Sequence, residues 1–166
     1  MGALDSQVLR LEDAAANLMA LRGDVEAGAP WPLADVWGVE PEASWGPPEL
    51  LAHVEEYLRY WMGEIERVLE GDGGAPVPFG RVASDTLRLG VIGRDRSLPM
   101  RELFARIEAD AARVAARLSE LSEDDAARVG LHPARGGMTI REMLEPFLVG
   151  HTEGHLTQLR DILAAG

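Results

Sequence analysis

Two histidines near the end of the chain stand four residues apart, in the run His151-Thr152-Glu153-Gly154-His155. On a helix, residues with this spacing lie on one face, one turn apart. A single divalent ion can therefore take an imidazole nitrogen from each of them, at about 2.0–2.1 Å. The surrounding sequence is largely apolar, although histidine is only moderately often buried. The pair predicts a metal site that takes a further ligand from elsewhere in the chain.

Composition limits the choice of that ligand. The chain has 4 histidines and no cysteine, so the remaining histidine candidates are His53 and His132. The absence of cysteine also excludes disulfides, thiolate ligands and a cysteine nucleophile. The 16 basic residues, all of them arginine, face 28 acidic residues, which gives a net charge of −12. This charge disfavours nucleic-acid binding, which needs a basic face.

The length of 166 residues and the hydrophobic content of 46% predict one globular domain that spans residues 1–166. The first ten residues lack the basic start and apolar stretch of a signal peptide. No apolar run approaches the roughly 18 residues of a membrane span. We therefore expect a cytoplasmic protein that does not associate with membranes.

Apolar residues recur every three or four positions in four segments, which predicts four amphipathic helices. Proline in the first turn favours a helix start, and a Ser/Thr-x-x-Glu capping box does the same. An interior proline removes a backbone hydrogen bond, so Pro146 predicts a kink or bulge in helix four, close to the histidines. No strand shows convincing alternation. The segments are Asp5 to Ala27, Pro47 to Glu70, Ser97 to Leu121, and Thr139 to Ile162.

A connection of 27 residues, from Gly71 to Ser97, joins helices two and three. It is long enough to span a helix of 20 residues, which measures about 30 Å. Helices two and three can therefore run in the same direction. The sequence predicts an all-α fold, an up-down-down-up four-helix bundle with helix two antiparallel to helix four.

This topology selects the third ligand. His53 lies near the start of helix two, whereas His151 and His155 lie past the middle of helix four. In an antiparallel pair, the start of one helix lies beside the end of the other, so His53 would lie at the same height in the bundle as the two histidines of helix four. His132 precedes helix four, at the opposite end of the bundle, and is interpreted as a loop residue. We therefore assign His53, His151 and His155 to one metal site.

Neighbouring residues supply candidates for supporting roles. Glu56 and Tyr57 lie one turn after His53 and could bind a ligand or the substrate, or act as acid and base. The alternatives are a solvated charge and a core aromatic. Gln158, one turn after the second histidine of helix four, is a candidate partner for that ligand. Glu153 points away from the pair and is interpreted as a surface residue.

Three stretches resemble the DinB-like (damage-inducible, YfiT-type) family. They are Trp45-Gly46-Pro47-Pro48-Glu49-Leu50-Leu51-Ala52-His53, Met138-Thr139-Ile140-Arg141-Glu142-Met143-Leu144, and His151-Thr152-Glu153-Gly154-His155-Leu156-Thr157-Gln158-Leu159.

The resemblance implies an up-down-down-up bundle, a homodimer, and a divalent metal, commonly zinc or nickel, held by three histidines. Carried over residue by residue, these ligands are His53, His151 and His155. Characterised relatives include mycothiol-dependent maleylpyruvate isomerase and bacillithiol S-transferases. The family therefore implies a small-molecule substrate and a low-molecular-weight thiol such as mycothiol or bacillithiol.

The chemistry of three neutral histidines agrees with this expectation, because they leave coordination positions open, as in catalytic zinc sites. A thiol bound there would lose its proton and become a nucleophile. We expect a thiol-dependent S-transferase or isomerase. The alternatives are a metal-dependent hydrolase and a non-catalytic bundle braced by its metal.

Overall fold

A computed structural model describes residues 2–166 as a mostly helical chain. Four helices are long, and four short ones lie between them or continue them. A 3-10 turn, Pro41–Ser44, precedes α3, and a π-helical turn, Glu145–Val149, joins α7 to α8. The helices are α1 Asp5–Ala20, α2 Arg22–Ala27, α3 Pro47–Glu70, α4 Thr86–Asp95, α5 Met100–Ser119, α6 Glu123–Ala126, α7 Ile140–Leu144 and α8 Gly150–Ala165.

The four long helices α1, α3, α5 and α8 share one core. Helix α3 packs on α5 and α8, and α1 packs on the same two helices. Burying aliphatic and aromatic side chains between them is the main stabilising contribution. Fully buried members of this core include Leu11, Leu18, Leu51, Tyr57, Ile92, Leu103, Phe104, Leu118, Leu148 and Leu159.

Side-chain pairs show how neighbouring helices run. Three ion pairs join α3 to α5, and the partners in each are 51 positions apart in sequence. A constant offset is what two helices running in the same direction produce. The pairs are Glu55 with Arg106, Arg59 with Asp110, and Glu66 with Arg117.

Helices α3 and α8 behave in the opposite way. Moving along α3 from His53 to Tyr57 and Trp61, the contacts on the other side move back from His155 to Thr152 and then to Phe147. A decreasing partner number is what antiparallel helices produce. The predicted up-down-down-up order of all four helices stays a prediction.

Helix starts follow the sequence signals. Thr139 Oγ1 accepts a hydrogen bond from the Glu142 N–H (3.2 Å), while the Glu142 carboxylate accepts one from the Thr139 N–H (2.8 Å). This is the predicted capping box of helix four. Helix α3 begins at Pro47, where a missing N–H costs no hydrogen bond.

The predicted bulge beside Pro146 is present as the π-helical turn. A Cβ on Gly150 would come within 2.7 Å of the Glu145 carbonyl oxygen, five residues earlier in the chain. Only glycine allows the backbone to approach this closely. Pro146 and Gly150 together therefore explain why the helix widens at this point before α8 continues regularly.

The predicted all-α fold is roughly confirmed, but the chain also contains a small three-stranded sheet that was not predicted. Strand β1, Val77–Pro78, pairs in parallel with β2, Val129–His132, which pairs antiparallel with β3, Gly136–Thr139. The connection between α3 and α5 is therefore organised, because it contains β1 and α4. Within residues 2–166, no helix combines the length and apolar character needed to cross a membrane.

Candidate metal centre

Helices α3 and α8 bring three histidine side chains together. His53 lies in the second turn of α3, and His151 and His155 lie in the first turns of α8. The Nε2 atom of His151 is 2.9 Å from Nε2 of His53 and 3.2 Å from Nε2 of His155. His53 and His155 are buried, and His151 is half-buried. We call these three residues the histidine cluster.

Gln158 fixes the protonation of one cluster member. Its amide nitrogen donates to the Glu42 carbonyl oxygen (2.8 Å), so its amide oxygen must be the atom that faces His155 Nδ1 at 2.9 Å. Since that oxygen can only accept, Nδ1 carries the proton and Nε2 has a free lone pair. The sequence-based candidate for this supporting role is therefore in contact with its histidine.

The cluster is electrically neutral in the absence of a cation. Burial, reinforced by the neighbouring His155 and Arg88, lowers the pKa of His151 to about 3. Burial also lowers the pKa of His53 well below its usual value, and that of His155 less strongly. Neutral imidazole is the form that binds metal ions.

The donor set fits a divalent cation. His53 Nδ1 faces a Glu56 carboxylate oxygen at 3.7 Å, which favours a proton on Nδ1 and a lone pair on Nε2. The Nε2 lone pairs of His53 and His155 therefore both face Nε2 of His151. Neutral His151 can donate at most one N–H from that nitrogen, so it cannot satisfy both lone pairs. A metal ion bound by all three Nε2 atoms removes this conflict. The candidate ligands from sequence analysis are the same three residues.

Glu56 is buried behind His53. One carboxylate oxygen pairs with the Arg81 guanidinium, and the other, facing His53 Nδ1, has no hydrogen-bond partner among residues 2–166. Burial raises the pKa of Glu56, although the charge of Arg81 opposes this shift. A carboxylate behind a ligating imidazole orients it and increases its basicity. Its predicted acid–base role stays a prediction.

Tyr57 is fully buried against the cluster. Its ring packs edge-on against His151, with centroids 4.6 Å apart. Thr152 Oγ1 donates to the Leu148 carbonyl oxygen (2.6 Å), so the Tyr57 hydroxyl must donate to Thr152 Oγ1 (2.5 Å). Burial raises the pKa of Tyr57. These contacts hold the ring in place, and the predicted catalytic role of Tyr57 stays a prediction.

Arg88 and Glu42, which sequence analysis did not single out, lie at the open side of the cluster. The Arg88 guanidinium pairs with the Glu42 carboxylate and has one nitrogen 3.5 Å from His53 Nε2. Arg88 is held by helix α4, whose first turn is capped by Asp85. No local sequence signal identifies this pair, because its members are 46 residues apart.

A cavity of about 340 Å³ opens beside the cluster, with His53 and His151 in its wall. We call it the side cavity. Its other lining residues include Trp61, Arg81, Arg88, His132 and Phe147. The position of His132 corrects the interpretation of this residue as a loop residue at the far end of the bundle. It is the last residue of β2, is buried, and stacks on Phe147 with ring centroids 5.2 Å apart.

The tight turn at Gly80 explains how His132 reaches this position. Gly80 has a φ of +84°, and a Cβ there would come within 2.5 Å of the His132 ring. Both the left-handed backbone and the close approach require glycine. The short sheet thus carries His132 to the side of the histidine cluster.

Residues 11–159 match the family model of the DinB superfamily. The chain belongs to the DinB superfamily. The match contains all three cluster histidines, Glu56, Tyr57 and Gln158. Comparison of this DinB-superfamily protein with curated proteins and with solved structures found no match.

Proposed function

We propose that this DinB-superfamily protein is a metal-dependent transferase that joins a low-molecular-weight thiol to an electrophilic small molecule. The observation that carries the proposal is the opening of the histidine cluster to the side cavity through His53 and His151. A structural metal site is closed by protein ligands, whereas a catalytic one keeps a position for an exogenous ligand. Because the chain has no cysteine, the thiol must come from solution.

The reaction forms a bond between sulfur and an electrophilic carbon. The leaving group departs with its electron pair, and the thiol proton passes to solvent. A bound divalent ion would supply the Lewis acidity that favours the thiolate at neutral pH. The chain contributes orientation: Gln158 fixes His155, Glu56 lies behind His53, and Tyr57 packs against His151.

The finer features of the proposal follow the family resemblance. We propose zinc or nickel as the metal, mycothiol or bacillithiol as the thiol, a homodimeric assembly and a cytoplasmic location. We also propose the up-down-down-up bundle. It is supported by the constant offset between α3 and α5 and by the reversed contacts between α3 and α8.

The test is a thiol-transfer assay with 1-chloro-2,4-dinitrobenzene, which releases chloride when a thiol attacks its ring. The protein is stripped of metal, then loaded separately with zinc and nickel, and mycothiol, bacillithiol, glutathione and cysteine are compared. We expect a metal-dependent rate above the uncatalysed reaction with at least one thiol. His53→Ala should abolish that rate, because two histidines no longer hold the metal in an oriented site.

Restoration of the rate on returning metal to the stripped wild-type protein is the control for damage during stripping. A rate that does not depend on metal, or that survives in His53→Ala, contradicts the proposal. A melting temperature that falls on metal removal, without thiol transfer in the loaded protein, favours the brace instead. Release of product with water in place of any thiol favours the hydrolase.

A further inference from the structure

The side of the histidine cluster where its Nε2 atoms meet is short of negative charge. The three imidazoles are neutral, and a guanidinium nitrogen of Arg88 lies 3.5 Å from His53 Nε2. A divalent ion bound there would add two positive charges in a largely buried place. A buried charge is costly unless an opposite charge pairs with it. The site therefore needs an anion close to the Nε2 atoms.

Glu42 is the carboxylate that lies in this position. One of its oxygens is 4.0 Å from His53 Nε2, and the same oxygen pairs with Arg88. Glu56 cannot take this role, because it faces Nδ1 on the other side of the His53 ring. Of the residues that the structure describes around the side cavity, Glu42 alone is acidic.

The distances suit a fourth ligand. Ligand atoms that bind an ion tetrahedrally at about 2.0–2.1 Å are about 3.3 Å from one another. The separations of His151 Nε2 from its two neighbours in the cluster, 2.9 and 3.2 Å, are already close to this value. The Glu42 oxygen is somewhat too far from His53 Nε2. Its side chain is 40% exposed, so rotation about its bonds can close the difference.

The main chain of Glu42 is held against the cluster while its side chain is not. The Glu42 carbonyl oxygen accepts from the Gln158 amide nitrogen (2.8 Å), and the amide oxygen of the same residue faces His155 Nδ1 (2.9 Å). The Trp45 N–H donates to the same carbonyl oxygen (3.3 Å), and the Trp45 ring packs edge-on against His53. Both helices of the cluster therefore fix the backbone from which the carboxylate extends.

We propose that Glu42 is a fourth ligand of the metal, and that its carboxylate exchanges between the metal and Arg88. This inference rests on the metal site of the proposed function and concerns access to that site. With Glu42 on the metal, a position is filled; with Glu42 on Arg88, that position is open to the side cavity. A thiol that enters must displace Glu42, and Arg88 then receives the carboxylate.

The test measures binding of cobalt(II) to the metal-free protein. Competition with a chelator gives the affinity, and the visible absorption of the bound ion reports its ligands. Glu42→Gln removes the charge with little change of shape. Glu40→Gln is the matched control, because Glu40 is an exposed glutamate two residues earlier in the same loop. Arg88→Gln and the Glu42→Gln/Arg88→Gln double variant complete a double-mutant cycle.

We expect Glu42→Gln to weaken cobalt binding at least about tenfold, since even a partner that only supports a ligand is worth that much. The visible spectrum of the bound cobalt should change as well. Glu40→Gln should leave both unchanged. Arg88→Gln should strengthen binding, because Glu42 loses its competing partner. In the Arg88→Gln background, the loss caused by Glu42→Gln should be as large as in wild type or larger.

Equal affinities and spectra in Glu42→Gln and Glu40→Gln overturn the proposal. A loss in Glu42→Gln that disappears in the Arg88→Gln background also overturns it, because Glu42 would then act only by neutralising Arg88. If Arg88→Gln does not fold, the spectrum of Glu42→Gln decides alone.

These outcomes are separate from a failure of the proposed function. Wild type that binds cobalt without any dependence on Glu42 retains the metal site and overturns the fourth ligand alone. Wild type that binds no cobalt overturns both the metal site and the fourth ligand.

Discussion

The two halves of helix α3 differ in how they are buried. Every residue from Pro47 to Leu58 is buried, including three glutamates and a histidine that a regular amphipathic helix would place on its exposed face. In the half from Arg59 to Glu70, the buried positions recur every three or four residues. These positions are Trp61, Glu64, Ile65 and Val68.

The first half is enclosed on all sides, because α4, α5, α8 and the preceding loop surround it. A polar group in such a place is costly unless it has a partner. Glu49, for example, accepts hydrogen bonds from the N–H groups of Ala34 and Gly46 and pairs with Arg96. The second half is amphipathic: apolar side chains alternate with exposed ones, and its pair between Glu66 and Arg117 is partly exposed to solvent.

The two halves of α3 therefore contribute differently to the molecule, although Trp61 of the second half also lines the side cavity. The regular half contributes mainly stability through apolar burial. The fully enclosed half holds polar groups, among them His53, in fixed positions, and burying these groups lowers the stability of the fold. The departure from the amphipathic pattern therefore marks the site.

Ile65→Ala tests the regular half and has the largest expected effect. Ile65 is 2% exposed, and truncating it should lower the free energy of unfolding by about 3 kcal/mol through lost burial and a residual cavity. Metal affinity should not change. Urea denaturation of the metal-free protein and competition with a chelator measure the two quantities. Half-buried Leu69→Ala is the control, with a smaller loss of stability.

A loss of metal affinity in Ile65→Ala as large as its loss of stability would show that the two halves are coupled. The two halves of α3 would then differ in burial but not in their contribution to the site.

Gln158→Leu tests whether Gln158 orients His155, and it should change the packing of the core little. The substitution removes the acceptor of the His155 Nδ1–H, so the ring is no longer held with Nε2 toward the cluster. Metal affinity should fall about tenfold, as for other partners of ligating histidines. Chelator competition measures it. Thr157→Ala is the control, because Thr157 is the exposed neighbour of Gln158 on α8 and bonds only to the Glu153 carbonyl oxygen; it should retain affinity, and equal losses in both variants would contradict an orienting role.

The pH dependence of stability tests the burial of the site and has the smallest expected effect. The pKa of His151 is about 3 in the folded protein and 6.5 ordinarily, so below pH 6.5 the unfolded chain binds a proton that the folded chain does not. The stability that depends on neutral His151 is complete above pH 6.5 and is lost progressively as the pH falls toward 3.

In metal-free protein, one such group changes the free energy of unfolding by about 1 kcal/mol between pH 6 and pH 5. Wild type should therefore lose about that much more stability than metal-free His151→Gln over this interval, measured by urea denaturation at each pH. Identical slopes would mean that the pKa of His151 in the folded protein is not lowered from its ordinary value.

Local signals in the sequence predicted much of the helical structure. The capping box at Thr139 and the prolines at the start of α3 mark helix starts, because they satisfy or avoid unpaired backbone donors within a few residues. The spacing of His151 and His155 placed them on one face, and the structure brings His53 to them.

Long-range pairing was not predictable in the same way. Strand β1 contains two residues, which cannot show alternation, and it pairs with Gly130 and Leu131 more than fifty positions away. The predicted position of His132 was wrong for this reason, because β2, the strand that carries it, was not predicted. Arg88 and Glu42 were missed because their meeting depends on how α4 and a loop pack.

The π-helical turn between α7 and α8 lets this segment hold one residue more than a regular helix would. Its five residues cover about the same rotation as four α-helical residues, so the apolar face of α7 and the imidazoles of α8 keep their directions across it. A deletion in the regular part of α8 is not absorbed in this way. It would rotate everything before it by about 100° relative to everything after it, and the imidazoles or the apolar face would lose their partners.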